Sequence, residues 1–213
     1  MTPRPTWLLP CCLTLLLAAC ASTPRVPDNP DWARHQATLA ALQHWSLSGR
    51  LNVRQQNQSD TVQINWQQQD EGFELRLSSS LLGLGAVYVH GTPTLVTLER
   101  SGKDSVTLPG LDALTQEYFG YAFPAAQLLY WIRGLPAPGL PATTTLDPNQ
   151  HLASLQQRDP EGRDWQLDFD RYQAFDGFWL PGRIRAQHGD LRLTFSIHRW
   201  QVPAAQAAAA AGS

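Results

Sequence analysis

The sequence predicts a mainly β protein, built on one strongly curved antiparallel sheet with a few short helices against its concave face. Three observations predict it. Apolar and polar residues alternate with period two through most of the chain. Short polar or glycine-bearing turns separate the alternating runs. Two helical stretches stand between the early and late strands, and helices in such a chain bury their apolar stripe on a sheet face. Where they cover that face incompletely, an apolar cavity remains beneath them.

The N-terminus reads as a leader. Arg4 supplies a positive charge, residues 7–19 form an apolar run of about 13 residues, and Leu17-Ala18-Ala19 lead into Cys20. Crossing a bilayer takes roughly 20 apolar residues, so the run is an export signal with a lipoprotein ending. The expected organisation is a signal at 1–19, an acylated tether at 20–30, a single domain at 31–202 and a disordered alanine-rich tail at 203–213. The tether has three prolines among ten residues and reaches about 33 Å when extended. Removing 19 residues from 213 leaves 194, enough for one sizeable core. Cys11 and Cys12 leave with the leader, so neither an internal disulfide nor a cysteine-built zinc site is available to the mature domain.

The elements follow in order. Asp31 to His44 has helix formers around Leu39, Ala40 and Leu42, with Asn29 or Asp31 near the start. From Trp45 the pattern alternates: Trp45, Leu47, Gly49, Leu51 and Val53 share one face, with Ser46, Ser48, Arg50, Asn52 and Arg54 on the other. Gln55 to Asp60 reads as a polar turn before the strand Thr61 to Trp66. Phe73 to Leu77, Val87 to Val89, Leu95 to Leu98 and Val106 to Leu108 continue a meander, with turns at Gly91-Thr92-Pro93 and Ser101-Gly102-Lys103. Leu111, Leu114, Tyr118 and Phe119 then have helical spacing, and Ala125 to Arg133 is a second helical stretch ended by Gly134. Leu135 to Pro141, with three prolines in seven residues, is a loop. Strands return at Leu152 to Gln157, Trp165 to Phe169, Trp179 to Ala186 and Leu191 to Trp200, with a hairpin at Gly189-Asp190.

The formal charge is -2, which gives no global attraction to nucleic acid. Charged residues are only 16%, and seven of the eight tryptophans lie beyond the leader. Large apolar surfaces of this kind need covering or a ligand. Chemistry is harder to find. The six histidines, at 35, 44, 90, 151, 188 and 198, have no metal-ligand spacing. Ser78-Ser79-Ser80 lacks a nucleophile elbow. Asp168 and Asp170 share a strand face but alternate with Leu167 and Phe169, which reads as a solvated face. No catalytic constellation, metal site or cofactor motif emerges, which favours binding or transfer over catalysis. One segment is unusual: Leu81-Leu82-Gly83-Leu84-Gly85 places three leucines where a polar turn is expected. An exposed leucine forgoes about 1.5–3 kcal/mol of burial, so this loop reads either as a strand continuing inward or as a contact for membrane or a partner's apolar groove.

Several motifs, in order over nearly the whole mature chain, resemble the LolB family of outer-membrane lipoprotein receptors. They are Trp45-Ser46-Leu47-Ser48-Gly49-Arg50-Leu51, Trp66-Gln67, Leu81-Leu82-Gly83 and Tyr130-Trp131-Ile132-Arg133-Gly134-Leu135-Pro136. Trp165 with Tyr172, Leu180-Pro181 and Trp200 complete the series. The resemblance implies an incomplete antiparallel barrel of about 11 strands whose hydrophobic cavity is lidded by helices. It implies a monomer, with no enzymatic activity and no cofactor, that accepts triacylated lipoproteins from a LolA-like periplasmic carrier and inserts them into the outer membrane. Cys20 would be the lipidated residue. Leu82, flanked by Leu81 and Leu84, would enter the membrane. Trp45, Trp66, Leu114, Tyr118, Leu128, Trp131 and Trp165 would form cavity and lid. The alternatives are a structural or assembly lipoprotein that docks a partner through the apolar loop, and a hydrolase of lipid or peptidoglycan with an unrecognised site.

Overall fold

The computed structural model describes residues 30–79, 85–119 and 123–204. The leader, Cys20, nearly all of the tether, the leucines of the 81–84 loop and nearly all of the tail lie outside them. Helix α1 (Pro30–Ala40) precedes six strands: β1 (His44–Gln55), β2 (Gln58–Gln69), β3 (Gly72–Ser79), β4 (Gly85–Thr92), β5 (Leu95–Arg100) and β6 (Val106–Leu108). Helices α2 (Leu111–Phe119) and α3 (Ala125–Trp131) follow. The chain ends with β7 (Ala142–Leu146), β8 (Leu152–Arg158), β9 (Asp164–Asp170), β10 (Gln173–Phe175), β11 (Phe178–Leu180), β12 (Arg183–His188) and β13 (Leu191–Gln201).

Eleven strands form one antiparallel sheet in the order β6-β5-β4-β3-β2-β1-β13-β12-β9-β8-β7. β10 and β11 make a separate two-stranded ribbon. β6 and β7 stand at opposite edges and do not pair, so the barrel is incomplete, as expected. The chain builds outward from β1 to β6, passes through α2 and α3, and returns from the far edge until β13 pairs with β1. The helices are therefore the connection between the two edges.

The alternation read in the sequence places the core. Trp45, Leu47, Gly49 and Val53 of β1 are buried, as are Val62, Ile64 and Trp66 of β2 and Leu191, Leu193 and Phe195 of β13. Gly49 is required by close packing: the β1–β13 register shifts between Ser48 and Gly49, and a Cβ there would collide with the Ser196 carbonyl. Trp45 packs against Trp66 and Trp200, with ring centroids 5.2 and 5.3 Å apart.

Some boundaries differ from the sequence reading. The turn after β1 is only Gln56-Asn57, and Gln55 pairs with Gln58. Gly91 and Thr92 belong to β4, leaving the turn to Pro93-Thr94. Trp179 to Ala186 is broken at Pro181-Gly182 into β11 and β12, because proline has no N–H for the ladder. The first helix stops at Ala40, and His44 already pairs with Gln69. Its end is held from a distance. Arg133 donates from Nη1 to the carbonyls of Leu39 at 3.1 Å and Leu42 at 2.6 Å, and from Nε to Leu129 at 3.1 Å. Burial pulls this guanidinium down to about 10, still charged at neutral pH. A cation at helix-terminal carbonyls is favoured by the helix dipole.

α3 closes with two backbone bonds, Gly134 N–H to Trp131 O at 2.9 Å and Leu135 N–H to Tyr130 O at 3.2 Å. Gly134 has φ +80°, and a Cβ would lie 2.8 Å from the Tyr172 hydroxyl. Gly134→Ala is expected to lower stability by at least about 1–2 kcal/mol, the cost of a left-handed alanine alone; denaturant unfolding measures it. α1 also rests on the β7–β8 turn. The His35 ring lies 5.3 Å from that of His151, whose Nδ1 is 3.3 Å from Asp147 Oδ2. Burial, then neighbouring His151, lowers His35 to about 4, with Asp147 opposing. The unfolded chain protonates this group near 6.5 and the folded chain only near 4, so the fold loses stability as pH falls between those values. His35→Asn should flatten that decline in thermal melts recorded across the interval.

Candidate functional site: a lidded apolar hollow

The concave face encloses a hollow of about 80 Å³ beneath α2 and α3. Its walls come from every second residue of four adjacent strands: Leu51 and Val53 of β1, Val62, Ile64 and Trp66 of β2, Phe73, Leu75 and Leu77 of β3, and Leu193 and Phe195 of β13. Leu111, Leu114 and Thr115 of α2, Phe123, and Ala125 and Leu128 of α3 form the roof. Among the described lining residues Thr115 is the only polar one, and its hydroxyl donates to the Asp112 carbonyl at 3.0 Å. Sites for drug-sized ligands run about 300–1,000 Å³. The hollow bounded by the described residues is smaller than such a site.

The roof is tied together locally. Asp112 Oδ1 accepts the Ala125 N–H at 2.7 Å, joining the start of α2 to the start of α3. Burial pushes the Asp112 carboxyl above the ordinary carboxylate range, and the Ala125 bond opposes that. The far end of α3 is fixed by buried polar groups. Gln157 accepts the Trp131 indole N–H at 2.9 Å and the Ala137 N–H at 2.9 Å, and donates to the Ala137 carbonyl. Next to it, the fully buried Asp159 accepts from the Arg163 backbone, the Trp165 indole and the Arg163 guanidinium. Burial alone would raise its pKa, but these bonds outweigh it and hold it below the ordinary carboxylate value.

Of the expected cavity and lid residues, Trp66, Leu114 and Leu128 border the hollow. Trp45 lies beside it, between Trp66 and Trp200. Trp131 and Trp165 are buried and pack on each other at 5.8 Å, each indole donating to a buried side chain, and Trp165 also meets the roof residue Phe123 at 6.4 Å. Tyr118 is in α2, but its side chain is outside the described residues. Asp168 and Asp170 lie on the outer face, paired with Arg185 and Arg183, so they form the solvated face that the alternation suggested. The structure adds Asp112, Gln157 and Asp159, for which no spacing rule gave a signal. Among the described residues, no group of three or more His, Cys, Asp or Glu could hold a metal ion. No described helix is long and apolar enough to cross a membrane.

Fold and site together define a class: an open antiparallel half-barrel with a helix-lidded apolar interior. The profile of the family "Outer membrane lipoprotein LolB" matches residues 43–200. An outer-membrane lipoprotein LolB of Stutzerimonas stutzeri is 36% identical over 200 residues, covering 91% of this chain and 94% of the relative. One from Cellvibrio japonicus is 35% identical over 201 residues, covering 90% and 96%. A crystal structure of a LolA superfamily protein from Nitrosomonas europaea shares the fold at TM-score 0.54 and 10% identity, over 84% of this chain and 94% of that one. The chain belongs to the LolB family of outer-membrane lipoproteins.

Proposed function

We propose that this protein resides at the outer membrane, anchored through acylated Cys20. There it receives acylated lipoproteins from a LolA-like periplasmic carrier and passes their acyl chains into the membrane. The observation that carries this reading is the apolar hollow between a curved sheet and a two-helix roof. Family membership and the LolA-superfamily fold support it. The physics fits the role. A lipid-modified cysteine exposes tens of methylenes, and at about 0.8 kcal/mol each their escape into water would cost on the order of 30 kcal/mol. Such cargo passes from one apolar enclosure to another, and descending affinities suffice without catalysis. Leu82, with Leu81 and Leu84 beside it, is the proposed membrane-entering residue.

Two experiments test this reading. Leu82→Glu should fold and accept cargo, yet insert lipoproteins into liposomes far more slowly than the parent; insertion at the parental rate would remove Leu82 from the mechanism. Cys20→Ala should give a soluble protein that still takes cargo from a loaded carrier, because the hollow is built from residues after Leu42. If purified Cys20→Ala protein, folded by circular dichroism, accepts no acylated cargo, the cavity reading fails.

A further inference from the structure

The outward faces of four adjacent strands, β2, β1, β13 and β12, carry six arginines and no carboxylate. Arg183 and Arg185 of β12 are answered by Asp170 and Asp168 on the next strand, β9. The other four, Arg50 and Arg54 of β1 and Arg192 and Arg199 of β13, are exposed. Among the described residues, none of these four has a carboxylate within 4 Å. Arg54 stands directly opposite Arg192 in the β1–β13 ladder. Like charges so placed destabilise a sheet, and Arg50 meets only a neutral group among the described residues, its Nε donating to the Gln63 amide oxygen at 3.0 Å. On β2 the residues opposite Arg50 and Arg54 are neutral, Gln63 and Ser59.

This cationic seam is local, since the whole chain carries -2. Arg192 and Arg199 are seven residues apart, roughly 23 Å along the strand. Lys103 is the only lysine in the chain, so the seam is built from the residue whose planar fork matches phosphate oxygens in pairs. Its position is informative. Arg54 and Arg192 adjoin the β1–β2 and β12–β13 turns, at the same end of the sheet as Ser79 and Gly85. Asp190 lies in that β12–β13 turn and Glu161 in the β8–β9 turn at the same end, so the seam's charge comes from the strand arginines and not from an acid-free end; Asp70, Glu71 and Asp147 lie in turns at the opposite end.

We infer that the β1–β13 arginine seam is a docking surface for anionic phospholipid headgroups, whose phosphates take the place of the missing carboxylates. It presses the outer face and the Arg54–Arg192 corner toward the bilayer, independently of the hollow and of any cargo. The test is co-sedimentation of the mature chain carrying Cys20→Ala with two kinds of vesicle, phosphatidylcholine alone and phosphatidylcholine with a third phosphatidylglycerol. Binding should need phosphatidylglycerol and weaken as salt rises. Arg54→Gln with Arg192→Gln should weaken it about thirtyfold, equivalent to about 2 kcal/mol, while the thermal midpoint holds or rises as the like-charge pair is relieved. Arg158→Gln, at an exposed arginine paired with Asp164, should leave binding unchanged. Equal binding to both vesicles, unchanged binding by the double variant, or a loss of binding that tracks a fallen thermal midpoint would each overturn the inference. Should the double variant not fold, Arg54→Gln alone is expected to cost about fivefold, and parental binding by it would be equally decisive.

Discussion

An antiparallel sheet of 11 strands that curves without closing leaves its concave apolar face exposed, and the rest of the fold answers that exposure. β6 and β7 are at opposite edges, so the chain between them has to pass from one edge to the other. The roof is therefore the crossing itself. Its helices are short, nine and seven residues, well below the length at which isolated helices persist in water. They are helical because Leu111, Leu114 and Leu128 bury into the sheet. Cover and core thus depend on each other.

Polar groups decide where that cover is firm. The C-terminal end of α3 is fixed by a positive-φ glycine, by Trp131 on Gln157, and by Arg133 reaching the carbonyls at the end of α1. A buried guanidinium without a carboxylate is costly unless its donors are met; here three backbone carbonyls take its Nε and Nη1, and the charge clamps two helices together. α2 has no equivalent clamp among its described bonds. It is held by apolar contacts and by the Asp112–Ala125 bond, which links it to α3 rather than to the sheet. The roof consequently has a fixed side and a lighter side.

Much of this could be read from the chain. Period-two alternation gave β1, β2, β3, β9 and β13 because each buries one face only. The short edge strand Ala142–Leu146 was missed: three threonines between alanine and leucine carry little alternation, and three prolines precede it. The β10–β11 ribbon was hidden by its three-residue strands. Large aromatic residues were recognised, but their division was not. Trp66 lines the hollow, whereas Trp131 and Trp165 are buried on each other with indoles bonded to side chains 26 and 6 residues away. Arg133 stood in a recognised motif, yet its partners at Leu39 and Leu42 are 94 and 91 residues distant, beyond any local pattern. The β1–β13 arginines were visible as the polar side of an alternation; only the register showed that Arg54 meets Arg192.

The size of the hollow sharpens the energetic argument for the proposed transfer. At about 80 Å³ it is small for a fatty chain, so in the proposed transfer an acyl chain would displace roof side chains from the sheet. Uncovering residues such as Leu114, Phe123 and Leu128 costs about 1.5–3 kcal/mol each, and the incoming chain recovers that burial by taking their place. Net affinity is then the difference between two apolar contacts rather than the full transfer energy from water. A receptor that binds through exchange holds its cargo less tightly than a bilayer, which requires no such displacement. In the proposed transfer, roof side chains returning to the sheet would favour release, because each regains what the departing acyl chain gives up.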